Sequence, residues 1–305
     1  MLEFFATHFG WLTDVSLVTL QLASGIASAM FLFLVASGLS LIFGVSRIIN
    51  FAHGSFYMFG AYFAHTWVQL LGGTPGEFWV MLILASLSVA LLGGVLEVLF
   101  LRRIYHADPI FQLLLTFAFV LLLSDVAKIL WGAEGKVVPR PEALAGSVSI
   151  LGTPFPRYML LVVAAGFLVG LALWVVFYRT RWGRLVRAAR HSRDMLGALG
   201  TNVPRLFTQV FMLGSALAGL AGAMVAPIVT AAPGMDASII IDAFVVVVIG
   251  GLGSFLGAAL ASLLVAVLKA LGTVSFPAIS MVLAYVVMAV VLIFRPWGLF
   301  GRREE

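Results

Sequence analysis

The apolar residues of this chain fall into long runs, and the length of these runs restricts the possible folds. A helix crosses a hydrocarbon layer about 30 Å thick with roughly 20 residues, and most of the runs are close to that length. A transmembrane β-barrel would instead alternate apolar and polar residues. Because 62% of the residues are hydrophobic and only 10% are charged, the sequence predicts an all-α integral membrane protein, a polytopic helical bundle.

Nine apolar segments can be drawn along the chain. They cover approximately residues 16–45, 55–71, 78–101, 110–131, 158–178, 206–229, 238–249, 255–272 and 274–294. The segment 238–249 is short for a span, and glycine-rich stretches beside it and beside 55–71 are typical of re-entrant or broken helices. We therefore expect about eight to ten transmembrane segments, some of them short or broken. Residues 1–305 are predicted to form a single membrane domain.

The longest polar interruption is the loop 179–205, which contains seven of the 18 lysines and arginines. The positive-inside rule places such a loop in the cytoplasm. Counting spans outward from it puts 13 basic residues inside and three outside, with the N-terminus outside. Membrane topology thus accounts for the net charge of +5, and this charge does not indicate nucleic-acid binding.

The middle of this loop has the spacing of a short amphipathic helix. Five residues share one face: Ala188, Ser192, Met195, Leu196 and Leu199. Arg187, Arg190 and Asp194 lie on other faces, and we expect Gly200 and Pro204 to end the helix. A helix of this kind between two spans is suited to docking a soluble partner.

Few charged residues lie inside the apolar segments. They are Glu97, Asp125, Lys128, Asp242 and Lys269. Asp125 and Lys128 are about one helical turn apart and can pair with each other. Glu97 and Lys269 lie near segment ends, from which their side chains can snorkel to the interface. This pattern argues against a proton relay and against a charge-coupled transporter.

No catalytic or metal-binding constellation is evident in the sequence. The chain has no cysteine, which excludes disulfides and thiolate ligands, and His53 has no second histidine nearby at metal-ligand spacing. A phosphate-binding loop is also missing, since Gly135-Lys136 lacks both the upstream glycine and the following hydroxyl residue. We therefore expect no enzyme activity, metal site or cofactor in this chain. If ATP drives transport, ATP and magnesium bind to partner subunits.

Polar and glycine-rich stretches between apolar segments are candidates for a solute path. Polar side chains and open backbone at membrane depth can replace the water around a zwitterion. The candidate residues are Asn50, His53, Gly54, Ser55, Gly250, Gly251 and Gly253. The alternatives, a structural histidine at one stretch and a simple bend at the other, stay open at this point.

Four pieces of the sequence resemble one protein family. The run GLSLIFGVSRIINFAHGSFYMFGAY, residues 38–62, is similar to the signature of the branched-chain amino acid ABC transporter permeases of the LivH type. The other three pieces are Arg187-Ala188 with Gly200 and Asn202 (coupling loop), VVVVIGGLGSFLGA at 245–258 (late glycine motif) and RPWGLFG at 295–301 (C-terminal end). The pieces occur in order across almost the whole chain.

This resemblance implies an ABC importer permease fold in the bacterial inner membrane. Such a permease moves branched-chain amino acids, or a related small polar solute such as urea or an amide, from the periplasm to the cytoplasm. The implied partners are a second related permease of the LivM type, two cytoplasmic ATPase subunits and a periplasmic substrate-binding protein, besides the lipid bilayer. The residues expected to couple to the ATPase are Arg184, Arg187, Ala188, Asp194, Leu196, Gly200 and Asn202.

The chain departs from the family pattern at two places. Ser55 stands where members commonly have an acidic residue. His191 and Ser192 stand where the coupling loop often has acids, which leaves Asp194 as the only acid there. Closely similar permeases are expected to move urea, short amides or aromatic acids. A different class, a self-sufficient secondary transporter or channel, is the alternative, and Asp125 would then have to supply its coupling charge.

Overall fold

The structure is a computed structural model that describes residue 11 and residues 14–72 and 76–301. The N-terminus, predicted to lie outside, is not among the described residues. Within them the chain forms eleven α-helices and two short β-strands. The helices, labelled α1 to α11 in chain order, are Val15–Ser46, His53–Leu71, Glu77–Leu99, Pro109–Trp131, Arg157–Arg179, Arg181–His191, Arg193–Ala198, Val203–Val225, Met235–Gly250, Phe255–Ser275 and Ser280–Phe294.

Each of the nine predicted apolar segments coincides with a helix. Six of these helices, α1, α3, α4, α5, α8 and α10, are long and apolar enough to cross a membrane. The other three, α2, α9 and α11, have 19, 16 and 15 residues. The prediction of an all-α polytopic membrane protein is confirmed.

A small β-hairpin in the loop between α4 and α5 was not predicted. Its strands β1 (Ser147–Ile150) and β2 (Thr153–Pro156) pair antiparallel, with Ser147 opposite Pro156. The φ angles of Leu151 and Gly152 between them are 50° and 84°, as in the type I′ turn that suits a two-residue hairpin loop. Pro154 and Pro156 of β2 are tolerated because both strands of the hairpin are edge strands.

Helix α8 packs against α1, α2 and α3 in the interior of the bundle. Its small residues allow close approach: a Cβ atom on Gly214 would lie 2.7 Å from Ile42 of α1, and one on Gly219 would lie 2.6 Å from Val89 of α3. Gly222 lies against the Tyr57 carbonyl of α2 in the same way. These small residues therefore serve helix packing.

The loop 179–205 forms two helices, α6 and α7, where one was predicted. Ser192 has an extended backbone and caps α7, since its hydroxyl accepts a hydrogen bond from the Met195 N–H at 3.2 Å. A serine favours this N-cap role over a position inside a continuous helix. Pro204 lies in the first turn of α8, where proline is well tolerated. We call the end of the bundle that carries α6 and α7 the arginine-rich end.

Candidate functional site

We call the connection between α1 and α2, residues 47–52, the first junction. Helix α1 ends at Arg47, whose φ of 56° is left-handed and whose N–H donates to the Phe43 carbonyl. The chain then enters the bundle, because Ile48, Asn50 and Ala52 are buried. The Thr116 hydroxyl of α4 donates to the Ile49 carbonyl at 3.1 Å and thereby fixes the junction from the side.

His53 begins α2 inside the bundle. Its Nε2 lies 3.0 Å from the carbonyl oxygen of Val35, and Val35 precedes the end of α1 by 11 residues, or about 16 Å of helix. Nε2 must carry the proton in this bond, which leaves Nδ1 as an acceptor. Nδ1 is buried and has no partner among the described residues, and the same holds for both side-chain amide atoms of Asn50.

Gly54 and Ser55 bring the start of α2 against the start of α9. A Cβ atom on Gly54 would lie 2.6 Å from the Asp236 carbonyl oxygen, so only glycine allows this approach. The Ser55 hydroxyl donates to Asp236 Oδ2 at 3.0 Å. Sequence analysis missed Asp236 because it precedes the apolar segment that was drawn from residue 238. The turn residues Pro233 and Gly234 just before it were the signal that a helix begins there.

We call the connection between α9 and α10, residues 251–254, the second junction. It lies at the arginine-rich end. The Leu299 N–H donates to the Ile249 carbonyl at 2.8 Å, and the Phe300 N–H donates to the Gly250 carbonyl at 3.1 Å. Gly251 has a φ of 95° and packs against the backbone of Gly301. Residues 295–301 therefore cover the glycines of the second junction and satisfy the carbonyls at the end of α9.

The candidate path residues form two groups that lie apart. Asn50, His53, Gly54 and Ser55 surround the start of α2, whereas Gly250, Gly251 and Gly253 lie at the second junction. Gly253 contacts Gly44 of α1, nine residues or about 14 Å of helix beyond Val35. The two groups are not in contact through these residues.

A cavity of about 150 Å³ lies beside the second junction, between α1, α5, α6 and the start of α10. Ser37, Ser40, Phe177, Arg187, Arg190 and Gly253 are among its lining residues. The hydroxyl of Ser40 is buried without a hydrogen-bond partner in the described part of the chain. This cavity is polar enough on one side to receive water or a small solute.

Two arginines fasten the loop 179–205 to the second junction and to the last turn of α1, directly before the first junction. Arg190 donates to the Gly253 and Leu252 carbonyls at 2.6 and 2.9 Å. Arg193 donates to the Val45 and Ser46 carbonyls at 3.1 and 2.8 Å. Burial lowers the pKa of Arg193, and nearby Arg47 adds to this, but a guanidinium keeps its charge at neutral pH.

The predicted coupling residues divide between the two sides of this loop. Arg184, Ala188, Asp194, Gly200 and Asn202 are exposed. Two others are turned toward the bundle instead: the Arg187 guanidinium donates to the Phe177 carbonyl and lies 5.3 Å from the Tyr178 ring centre, and Leu196 is buried.

Two apolar side chains of the same loop are uncovered. Met195 is 67% exposed and Leu199 is 77% exposed, although both belong to the face that was predicted to be apolar. Ala188 on that face is exposed as well. We call Met195, Leu199 and the exposed residues around them the docking face.

Between described residues, three ion pairs involve the charged residues that the sequence places in the apolar segments. Asp125 and Lys128 pair as predicted, with 3.0 Å between Oδ1 and Nζ. The expectation that Glu97 and Lys269 snorkel is wrong. The Lys269 Nζ lies 2.6 Å from Asp242 Oδ1, and Glu97 is buried and 3.2 Å from Arg102. Because these acids and bases are close enough to neutralise each other inside the protein, they have no need to reach the interface.

The Glu97 carboxylate is also hydrogen-bonded by two hydroxyls. Tyr105 and Thr208 each donate to it at 2.7 Å. Burial and the bond to Glu97 raise the pKa of Tyr105, so this hydroxyl keeps its proton and remains a donor. Among the described residues no group of three or more histidines or acids could hold a metal ion.

Similarity to known proteins indicates the family of this chain. Residues 21–294 match a family model described as the permease component of the branched-chain amino acid transport system. The chain is similar to the high-affinity branched-chain amino acid transport system permease protein BraD of Pseudomonas aeruginosa, with 28% identity over 93% of this chain and 96% of that protein. No solved structure matches it significantly.

Two further relatives bear the names of two different permease proteins. The permease protein LivH of Salmonella typhimurium is 25% identical over 93% of this chain and 96% of its own length. The permease protein LivM of Escherichia coli is 28% identical over 95% of this chain and 71% of its own length.

Proposed function

Since this chain belongs to the family of permease components of branched-chain amino acid transport systems, we propose that it is a permease subunit of an ATP-binding cassette importer. It carries a branched-chain amino acid, or a related small polar solute, from the periplasm to the cytoplasm across the bacterial inner membrane. ATP and magnesium bind to two ATPase subunits, and a periplasmic binding protein delivers the solute. The second permease is a relative of the LivM type, in keeping with the likeness to both LivH and LivM.

The observation that carries this proposal is the arrangement of the loop 179–205. Its inner side is bonded to the second junction through Arg190 and to the last turn of α1, directly before the first junction, through Arg193, while its docking face exposes Met195 and Leu199. Exposed apolar side chains in an arginine-rich loop are favourable for a soluble protein partner. An ATPase seated on this face could therefore move both junctions at once.

Energy from ATP reaches the solute path only if the ATPase binds two states of the permease differently. The loop supplies such a coupling, because a movement of α6 or α7 changes the distance between the two junctions. Asn50, His53 and the uncapped start of α2 then offer hydrogen bonds to the solute in the interior. The cavity beside the second junction is the exit on the cytoplasmic side.

Charge substitutions on the docking face test the proposal. We expect Met195→Asp and Leu199→Asp to remove the ATPase subunits from a complex purified through a tag on this chain, and to abolish uptake. Leu151→Asp is the matched control, since Leu151 is 78% exposed at the hairpin turn, far from the docking face, and it should retain both. Retention of the ATPase by both docking-face variants would refute this docking face.

Two substitutions at predicted coupling residues have different expected causes. Gly200→Trp should prevent docking, because the new side chain would stand where the ATPase has to approach. The chain itself can accept this side chain at the cost of a strained φ, since no described atom lies within 4 Å of a Cβ at Gly200. Arg187→Glu should instead disturb the end of α5, where Arg187 is bonded. Thermal unfolding of the purified chain would separate the two, since only Arg187→Glu should lower the melting temperature strongly.

A self-sufficient secondary transporter or channel is the alternative. Pairing of Asp125 with Lys128 makes Asp125 a poor coupling charge, because its carboxylate is already neutralised. Uptake by this chain alone, in vesicles without ATPase subunits, would favour the alternative.

A further inference from the structure

Asp236 is a buried acid that the helix packing does not require. It lies in the first turn of α9 and is 3% exposed. The described residues give its carboxylate one hydrogen bond, from the Ser55 hydroxyl. None of the described lysines, arginines or histidines forms an ion pair with it.

An acid in this state destabilises the folded protein, so its presence points to a function. A buried carboxylate without a counter-charge is strongly unfavourable, and an ionisable residue inside a membrane protein commonly marks a path for solutes or ions. Glu97 demonstrates the alternative in the same molecule, because Arg102, Tyr105 and Thr208 all bond its carboxylate. Asp236 has no such set of partners, so a structural role does not account for it.

The surroundings of Asp236 include other polar groups. Asp236 lies in the first turn of α9, where the start of a helix carries a partial positive charge. The Tyr62 hydroxyl is buried without a described partner, and it is near enough to Asp236 to interact electrostatically. Tyr62 is seven residues, or about two helical turns, after Ser55, so both hydroxyls lie on one face of α2. A polar group bound to Asp236 would therefore have the Ser55 and Tyr62 hydroxyls as further partners.

We propose that Asp236 and Ser55 bind the ammonium group of the solute as it passes through the interior of the permease. An ammonium supplies the missing counter-charge and donates to the free carboxylate oxygen. The start of α2 lies beside this site and has no side-chain cap, and a helix start is suited to bind the carboxylate of the same amino acid. This inference rests on the proposed importer function and narrows it to solutes with a primary ammonium group, so urea and simple amides are not carried.

The test uses the complete importer, this chain with its permease partner, ATPases and binding protein, reconstituted in liposomes and supplied with L-leucine. Asp236→Asn should lower leucine uptake about tenfold or more, Ser55→Ala by about threefold, and Asp236→Glu should retain part of the uptake. The variants should still assemble with the ATPases. Asp236→Asn should unfold at the same temperature as the wild type or higher, because it removes a buried unpaired charge.

Asp242→Asn is the matched control on the same helix. It leaves Lys269 without its partner and should lower the unfolding temperature, as expected for a structural acid. If Asp236→Asn behaves in the same way, or if its leucine uptake equals that of the wild type, the ammonium site is refuted while the importer function stands. If the wild-type complex carries urea or propionamide and no amino acid, both the site and the proposed amino-acid transport are refuted.

Discussion

The two helix junctions look alike in sequence, since each places polar or small residues between apolar runs. They differ in whether their polar groups have hydrogen-bond partners. The second junction is closed: residues 299 and 300 bond the end of α9, and Arg190 bonds Leu252 and Gly253. The first junction and the residue that follows it are incomplete, because the side chain of Asn50 and Nδ1 of His53 are buried without partners in the described part of the chain. A satisfied junction holds structure together, and an unsatisfied one is available to a ligand.

The largest effect is expected from Gly251→Val at the second junction. The new Cβ would overlap the backbone of Gly301, and valine strongly disfavours the φ of 95° at this position. The folded yield on size-exclusion chromatography should fall to background. Gly132→Val is the control, because Gly132 has a similar φ of 85° but no atom within 4 Å of a Cβ. Equal losses in the two variants would mean that the clash, and hence the closure of the junction, is unimportant.

Arg190→Ala and Arg193→Ala separate the roles of the two junctions in coupling. Each removes two bonds to carbonyl groups: Arg190→Ala those to the second junction, and Arg193→Ala those to the last turn of α1 before the first junction. We expect uptake to fall about tenfold in each, since charged hydrogen bonds are worth roughly 1.5–3 kcal/mol, while the ATPases stay bound. The readouts are ATP-dependent uptake in liposomes and co-purification.

Arg181→Ala is the control for both arginine variants, since Arg181 is exposed on the same helix as Arg190. It should leave uptake within about twofold of the wild type, in keeping with the small energies of exposed charges. Loss of uptake in only one of the two variants would assign the coupling to a single junction.

Asn50→Leu at the first junction should lower uptake without lowering the stability of the protein. It removes two unpartnered buried polar atoms, so the free energy of unfolding should stay the same or rise by about 1–2 kcal/mol, while uptake falls. Thr116→Val is the comparison, because it breaks a bond to the Ile49 carbonyl and should cost about 1 kcal/mol. Thermal unfolding in detergent measures both. A strong loss of stability in Asn50→Leu would contradict the view that this junction is incomplete.

The smallest effect is expected from Ser40→Ala at the cavity. Its hydroxyl has no described partner, so stability should change by less than about 0.5 kcal/mol. Ser46→Ala on the same helix removes a hydroxyl that donates to Ile42 O and accepts from the Ile48 N–H, and it should cost about 1 kcal/mol. The two melting temperatures check whether the hydroxyl of Ser40 on the cavity side of α1 lacks a hydrogen bond, as the side chain of Asn50 does at the first junction. Equal losses of stability in the two variants would contradict this.

The nine apolar helices of this protein were predictable because each depends on a local run of apolar residues, whereas the division of the loop 179–205 into α6 and α7 was not predicted. What the sequence left open depends on residues far apart in the chain. The closure of the second junction joins residues 249–250 to 299–300, and no local pattern indicates this pairing. The inward turn of Arg187 and Leu196 is similarly decided by α5 and the rest of the bundle. Helical spacing had placed Leu196 on the same face as Met195 and Leu199, but Leu196 is buried and the other two are exposed.

The candidate site was predictable in part for the same reason. The polar residues at the start of α2 were found from their position between apolar runs, but Asp236 is 181 residues from Ser55 along the chain. The acid that the family pattern leads one to expect directly after Gly54 is absent there. A carboxylate nevertheless reaches the Ser55 hydroxyl, from α9 instead of α2.

The pairing of residues 299–300 with the end of α9 also has a consequence for the order in which the protein is made. Translation delivers α9 to the membrane about 50 residues before its hydrogen-bond partners have been synthesised. Until then the carbonyls of Ile249 and Gly250 have no backbone donor from residues 299 and 300. A chain that stops before residue 299 would therefore leave the end of α9 open, next to the Leu252 and Gly253 carbonyls that Arg190 binds.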